Sequence, residues 1–425
     1  MLIVLLGSLL ALLLLGVPVF AALAISSLIY IYMAGIPPLI VIQQMFNGID
    51  QFALLAVPFF ILAGILMNSA RITDELFGFA RALVGHLPGG LGHVNITASL
   101  IFSGMSGTAV ADAGGLGTVE IKAMRDQGYP VKFAIGITSA SSTIGPIIPP
   151  SLSMIVYGVV ANESIGQLFA AGIVPGLLMA LALHIMVWNM SVRHGYPREP
   201  RASLQTVLAT LRSSFPALIT PVIIIGGILG GVFTPTEAAV IAVIYALIVG
   251  LFWYRALGVQ AILRSLLETF ETTAVVMLMV SASAVFGWIL VRENIAAAFS
   301  AAILSLASEP WQALILLNII LLIAGMFMET VAIILILTPI IVPVLAAFGI
   351  DHVQFGVIMV LNLMIGLITP PIGLLLFVMA RVADTDLTTV IRACIPFMLP
   401  LLAVLILISL FPALTLTIPN LIFGQ

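Results

Sequence analysis

Long apolar runs, broken by glycine and proline and interrupted by few charges, fill the chain. Residues 2–16 and 18–33 are two such runs, and Gly16-Val17-Pro18 between them predicts a turn joining two short spans. Residues 34–51 hold Pro37, Pro38, Asn47 and Asp50 and read as a loop. A third span at 52–70 ends at Arg71. Residues 72–93 carry helical periodicity with Arg71, Asp74, Glu75 and Arg81 on the wet side, which predicts an amphipathic interfacial segment. Residues 94–106 are too few to cross a hydrocarbon core that needs about 20 residues. Gly104, Gly107, Gly114, Gly115 and Gly117 lie in or just after them, so 94–126 predicts a re-entrant hairpin. Residues 131–160 are long enough to span, but Gly145-Pro146 and Pro149-Pro150 divide them into two half-helices joined by unwound chain.

An unbroken span at 165–190 leads to a connector over 191–212, marked by Arg193, Arg198, Arg201 and Arg212. The plan then repeats. Spans are predicted at 216–233 and 236–253 around the turn Thr234-Pro235, followed by Arg255, Arg264 and a span at 268–290. After Arg292-Glu293 come an interfacial segment, a second hairpin at 314–348, a broken span at 352–380 and a last span at 394–416.

The repetition is visible residue by residue. Residues 103–150 return at 324–371 with a fixed offset of 221, matching Gly104 with Gly325, Gly128 with Gly349, Gly145 with Gly366, and Pro149-Pro150 with Pro370-Pro371. Broken backbone inside a bilayer is tolerated only where protein buries it or where it lines a watery cavity. Paired breaks in two halves point to a transporter's binding site. If the connector faces the cytoplasm, Arg71, Arg81, Lys122, Arg125, Lys132, Arg255, Arg264, Arg381 and Arg392 fall on that side too, with Arg292 opposite. Five crossings and one hairpin per half then make the repeats inverted, with the N-terminus periplasmic. The expected fold is an all-α polytopic membrane protein of two inverted repeats.

Composition agrees with this class. Of 425 residues, 62% are hydrophobic and 7% charged, where soluble chains carry about a quarter charged. A net charge of -3 without long charged runs gives no sign of a nucleic-acid partner. One cysteine, Cys394, rules out an internal disulfide, and the five histidines lack close paired spacing. No phosphate-cradling GxxxxGK[ST] loop is present, and no nucleophile-base pair stands out, so the chain reads as a carrier and not an enzyme.

Candidate chemistry gathers at the breaks. Ser103, Ser106, Gly107 and Thr108 in the first hairpin, with Ser141, Ser142, Thr143, Gly145 and Ser151 in the broken span, offer hydroxyls and freed carbonyls. Such oxygens suit a dehydrated Na⁺, and half-helix N-termini suit an anion. Their counterparts are Gly325, Glu329, Thr330, Asn362, Gly366 and Thr369. Intramembrane carboxylates are costly and therefore informative. Glu329 and Asp112 sit by the two tips, Glu237 reads as a structural cap, and Glu268 and Glu271 read as wet residues near a span end.

The segments SGMSGTAVADA, SSTIGPIIPPSLSMIVYG, GGVFTPTEAAVIAVIYAL and GLITPPIGLLLFV resemble the large membrane subunit of tripartite ATP-independent periplasmic (TRAP) transporters along essentially the whole chain. The resemblance implies a secondary transporter of the bacterial inner membrane working as an elevator. It implies two partners, a small four-span membrane subunit and a periplasmic solute-binding protein that delivers an organic anion such as sialic acid, a C4-dicarboxylate or a sugar acid. It places two or more Na⁺ ions around Ser103, Gly104, Thr143 and Gly145, and around Gly325, Asn362, Gly366 and Thr369. Substrate is expected near Ser106, Thr108, Ser151 and Glu329. The moving unit is expected at 94–160 and 314–380, and the scaffold at 1–93, 161–313 and 381–425. A stand-alone anion symporter with the same hairpins is the alternative reading.

Overall fold

The computed structural model describes residues 1–70 and 72–424, the side chains of Leu2 and Ser106 excepted. Arg71 and the Ser106 side chain thus lie outside the described part of the chain. The described chain is all-α, and eight of its helices are long and apolar enough to cross a membrane. It is a polytopic membrane protein.

Its first half runs through α1 (Leu2–Leu14), α2 (Val19–Met33), α3 (Leu39–Ile49) and α4 (Ala56–Ser69), then α5 (Ile72–Val84) and α6 (Gly90–Ser106). The hairpin returns through α7 (Ala109–Gly114) and α8 (Leu116–Asp126). The broken span is α9 (Val131–Ser142) and α10 (Leu152–Ala161), and α11 (Ile165–His194) closes the half. In the second half, α12 (Leu204–Leu229), α13 (Pro235–Ile248) and α14 (Val259–Arg292) lead to the arm α15 (Ile295–Leu306). The second hairpin is α16 (Pro310–Phe327) and α17 (Thr330–Phe348), and the second broken span is α18 (His352–Leu367) and α19 (Leu374–Val382). The chain finishes with α20 (Leu387–Leu410) and α21 (Ala413–Phe423).

The doubling extends to element boundaries. Helix ends at Ser106 and Phe327, starts at Val131 and His352, and ends at Ala161 and Val382 all recur at the offset of 221. Pro149-Pro150 and Pro370-Pro371 are both cis. The matched Gly128 and Gly349 both hold positive φ, of 80° and 64°, as the chain leaves α8 and α17. That left-handed conformation ends helices and suits glycine because it has no Cβ to clash.

Several expected boundaries are corrected. Residues 39–49 are helical despite Pro37-Pro38, because proline is tolerated where a helix begins and α3 gains an apolar partner in α14. The connector shrinks to 195–203, since α11 runs on to His194 and Ser203 caps α12, accepting the Thr206 amide at 3.1 Å. The span expected at 268–290 begins at Val259. The last span ends at Leu410, where Pro412 cannot continue the helix and α21 starts. The return limb of the first hairpin is itself broken at Gly114-Gly115.

Two cores organise the packing. A small one joins α1, α2 and α3 to Ala282, Val285, Phe286 and Ile289 of α14. The Tyr30 hydroxyl donates to Glu293 at its edge. The large core takes in both hairpins and both broken spans. Glycines set its closest approaches: a Cβ at Gly172 of α11 would stand 2.2 Å from the Ile147 carbonyl oxygen, and one at Gly356 of α18 would stand 2.5 Å from the Tyr157 ring. Glu237 does cap α13, in a reciprocal capping box with Thr234. His93 and His184, 91 positions apart, are paired through their Nδ1 atoms at 2.7 Å with stacked rings, a contact their sequence spacing did not show.

Packing at these glycines sets the outcome of substitution. Gly172→Ala should lower thermal stability by about 1–3 kcal/mol, the usual range for overpacking. Gly226→Ala, where nothing lies within 4 Å, should raise stability slightly through helix propensity. Unfolding followed in detergent distinguishes the two. In the connector, Glu199 pairs with Arg81 at 2.6 Å and accepts from Gln127 at 2.6 Å. Partial burial pushes the Glu199 carboxyl up, but the bonds from Arg81 and Gln127 and the Arg81 charge outweigh it and hold it below its ordinary value. A depressed carboxylate stabilises the fold above its unfolded-state value and loses that contribution as pH falls through the folded one. Glu199→Gln should therefore cost about 1 kcal/mol near neutrality and nothing under strongly acidic conditions, read from melting curves across pH.

Candidate functional site

Each hairpin tip is seated on the broken span of its own half. In the first half, Gly107 turns the chain with φ 62°, and a Cβ there would stand 2.7 Å from the Pro150 carbonyl oxygen. The next residue, Thr108, caps α7 by accepting the Ala111 amide at 3.3 Å, and its carbonyl oxygen would stand 3.5 Å from a Cβ on Gly145. In the second half the contact is backbone on backbone: a Cβ on Gly366 would lie 2.7 Å from Gly325 Cα. The Gly373 amide also donates to the Met326 carbonyl at 3.1 Å.

These contacts leave the breaks rich in oxygen. Residues 141–151 are buried throughout, and α11 seats this break through Gly172 and Gly176. The hydroxyls of Ser103, Thr143 and Thr369 are buried and donate back to Leu100, Ala140 and Ile365 carbonyls, each at 2.6 Å. A hydroxyl whose proton is so committed turns its lone pairs outward as an acceptor. Ser151 caps α10, accepting the Met154 amide at 3.2 Å and donating to the Pro146 carbonyl at 2.5 Å.

Not every expected residue arrives at a junction by the same route. Gly104 turns its Cα toward Pro221 of α12, whose Cγ would lie 2.6 Å from a Cβ there, whereas its counterpart Gly325 meets Gly366. Asn362 donates to Asn318 of α16, to the backbone oxygen at 2.9 Å and to Oδ1 at 2.7 Å, and so ties α18 to the hairpin limb. Its own Oδ1 is buried without a hydrogen-bond partner among the described residues.

Between the tips and helices α4 and α14 lies a cavity of about 840 Å³. Thr108 and Glu329 line it, together with Leu152 beside the buried Ser151. Glu329 also caps α17, accepting the Ala332 amide at 3.1 Å. The opposite wall contributes residues not singled out from sequence as site residues: Asn68 and Ser69 from α4, and Glu268, Glu271 and Thr272 from α14. The two glutamates, which the sequence presents as merely wet, face the cavity. A signal was present, since Glu268, Thr272, Val275 and Met279 recur at helical spacing and mark one face. Among the described lining residues three are carboxylates and none is Lys or Arg.

The sequence of residues 6–414 matches the family described as "Tripartite ATP-independent periplasmic transporter, DctM component". The chain is 52% identical to the sialic acid TRAP transporter large permease protein SiaM of Vibrio cholerae, over 90% of each chain. It is 45% identical to the sialic acid TRAP transporter permease protein SiaT of Haemophilus influenzae, over 96% of this chain and 66% of that longer one. Among solved structures, the Alcanivorax borkumensis YdaH transporter shares the fold, with a TM-score of 0.62 at 15% identity over 88% of this chain and 87% of the other. The chain therefore belongs to the DctM family, the large permease components of tripartite ATP-independent periplasmic transporters.

Proposed function

We propose that the chain imports an organic anion across the bacterial inner membrane, coupled to Na⁺ and supplied by a periplasmic binding protein. The observation that carries this reading is the seating of each hairpin tip on broken backbone beside a cavity without Lys or Arg among its described lining residues. An anion entering such a cavity needs positive charge from elsewhere. Helix N-termini supply part of it, and α10 and α17 both begin at the site. At α17, however, Glu329 already occupies the capping position, so this carboxylate suits substrate hydroxyls better than a substrate anion. Cations at the tip junctions supply the remainder, which makes anion binding depend on Na⁺.

The ion sites are assigned to Ser103, Thr143 and Gly145 in one half and to Gly325, Gly366 and Thr369 in the other, with Gly104 and Asn362 contributing through backbone and side-chain oxygen. Substrate lies between Ser106, Thr108, Ser151 and Glu329. Sialic acid is the favoured anion because two similar permeases are named for it. A small four-span subunit is the membrane partner, the repeats are inverted and the N-terminus is periplasmic. Residues 94–160 and 314–380 move together, as an elevator, against the rest. Ions that bind where tip meets break tie each hairpin to its own broken span, so the filled unit slides as a rigid body.

Uptake of sialic acid into proteoliposomes holding both membrane subunits, with binding protein outside, should require an inward Na⁺ gradient. Equal uptake driven by a pH gradient alone would sink the coupling, and uptake by this chain alone would favour a stand-alone symporter. Ser103→Ala and Thr369→Ala should each raise the Na⁺ concentration for half-maximal uptake by about 3- to 10-fold, the loss of roughly 1 kcal/mol of ligation, with assembly intact. Glu329→Gln should raise the half-saturating substrate level and leave the Na⁺ titration in place.

A further inference from the structure

The first hairpin encloses a second polar cluster that the Na⁺ and anion sites do not use. Asp112 of α7 and Glu120 of α8 are 0% and 1% exposed, within electrostatic reach of each other. Asn95 of α6 spends both its amide protons here, donating to Glu120 Oε2 at 2.7 Å and to Thr138 Oγ1 of α9 at 2.7 Å. Ser141 donates to Asn95 Oδ1 at 2.6 Å. Three acceptors remain: both oxygens of Asp112 and Oε1 of Glu120 receive no hydrogen bond from any described group. The Ser99 hydroxyl lies beside Asp112 as an open donor, meeting no described group at hydrogen-bond geometry.

Among the described residues no counter-charge reaches the pair. The elements packed most closely against α7 and α8 are α6, α9, α19 and each other, with Asn68 of α4 beside Gly115. Their other charged or titratable groups are His93, Lys122, Arg125, Asp126, Lys132 and Arg381. His93 is turned to His184, Arg125 donates to the Ala383 carbonyl, and Lys122, Asp126, Lys132 and Arg381 are exposed. The ion pairs among the described residues are Arg81–Glu199 and Glu163–His352, both elsewhere. A buried carboxylate without a partner carries a desolvation penalty of several kcal/mol, and two adjacent ones repel. A proton removes a charge and turns one surplus acceptor into a further donor in a cluster where three open acceptors face the single Ser99 hydroxyl.

We propose that Asp112 and Glu120 form a proton-binding carboxyl pair inside the first hairpin. Asn95, Ser99 and Ser103 follow one another at intervals of four along α6, so this polar face runs from the pair to the tip junction. The site is separate from the residues assigned to Na⁺ and to the anion, and it stands or falls independently of that assignment.

The test uses the full chain purified with its small subunit, with spectra and melting curves taken at saturating Na⁺ and uptake titrated with Na⁺ separately, comparing wild type with Asp112→Asn and Glu120→Gln. Wild type should show an infrared carbonyl stretch of a protonated carboxyl that shifts in D₂O, and each variant should lose part of it. Wild-type melting temperature should fall as pH rises from about 5 to 9, because the folded state holds protons that the unfolded state has released. Each neutral isostere should flatten that slope while leaving the Na⁺ half-saturation and steepness unchanged. Should one variant fail to fold, the other variant and the wild-type infrared band decide. Absence of the band, an unchanged pH slope in the variants, or a reduced steepness of Na⁺ dependence would each overturn the proposal, the last by assigning the pair to Na⁺.

Discussion

The contact of two backbones without side chains between them, Gly325 against Gly366, is the constraint on which the second half of the site depends. A Cβ on either residue would meet main-chain atoms of the other helix, with approaches down to 2.7 Å. Main chain cannot give way as a flexible side chain does. The tip is therefore held against the end of α18, where the Gly373 amide beyond the break donates to the Met326 carbonyl. The first half reaches the same end by another route, with Gly107 against Pro150 and Thr108 against Gly145. Matched glycines thus need not make matched contacts, as Gly104 against Pro221 shows.

This seating answers the usual objection to irregular chain inside a membrane. The first break is buried in protein over residues 141–151, and α11 gives up side chains at Gly172 and Gly176 to admit it. The second break is partly exposed at Pro371 and Ile372, and Leu374 beyond it lines the cavity. The two breaks thus meet the two conditions under which unwound backbone is tolerated at membrane depth, enclosure by protein and a border on a cavity.

Charge is distributed with equal economy. The described lining of the cavity carries Glu268, Glu271 and Glu329 and no cationic side chain. The buried pair Asp112 and Glu120 shows a related arrangement deeper in the hairpin, where acceptors outnumber donors. Glu237, exposed and bonded in its capping box, shows what a carboxylate does when it is structural: it closes its hydrogen bonds locally. An intramembrane acid whose oxygens stay open is a different object, and hydrogen-bond accounting separates the two.

Much of this was legible in the residues. The ungapped recurrence of Gly104, Gly128, Gly145 and the double proline placed both hairpins and both broken spans, because glycine and proline act on local backbone and leave their mark wherever the chain is placed. The match of helix ends at an offset of 221 reflects that local control. The family was readable too, since its motifs are contiguous. Tertiary structure alone decided the rest. That residues 39–49 are helical depends on the face of α14 that receives them. That Glu268 and Glu271 look into the cavity, that His93 meets His184, and that Asp112 and Glu120 share one enclosure all depend on which faces of separate helices are turned together. In a chain with 62% hydrophobic residues, apolar periodicity hardly distinguishes a lipid-facing side from a protein-facing one, so those rotations are set by glycine-sized contacts between helices and not by the pattern along any one of them.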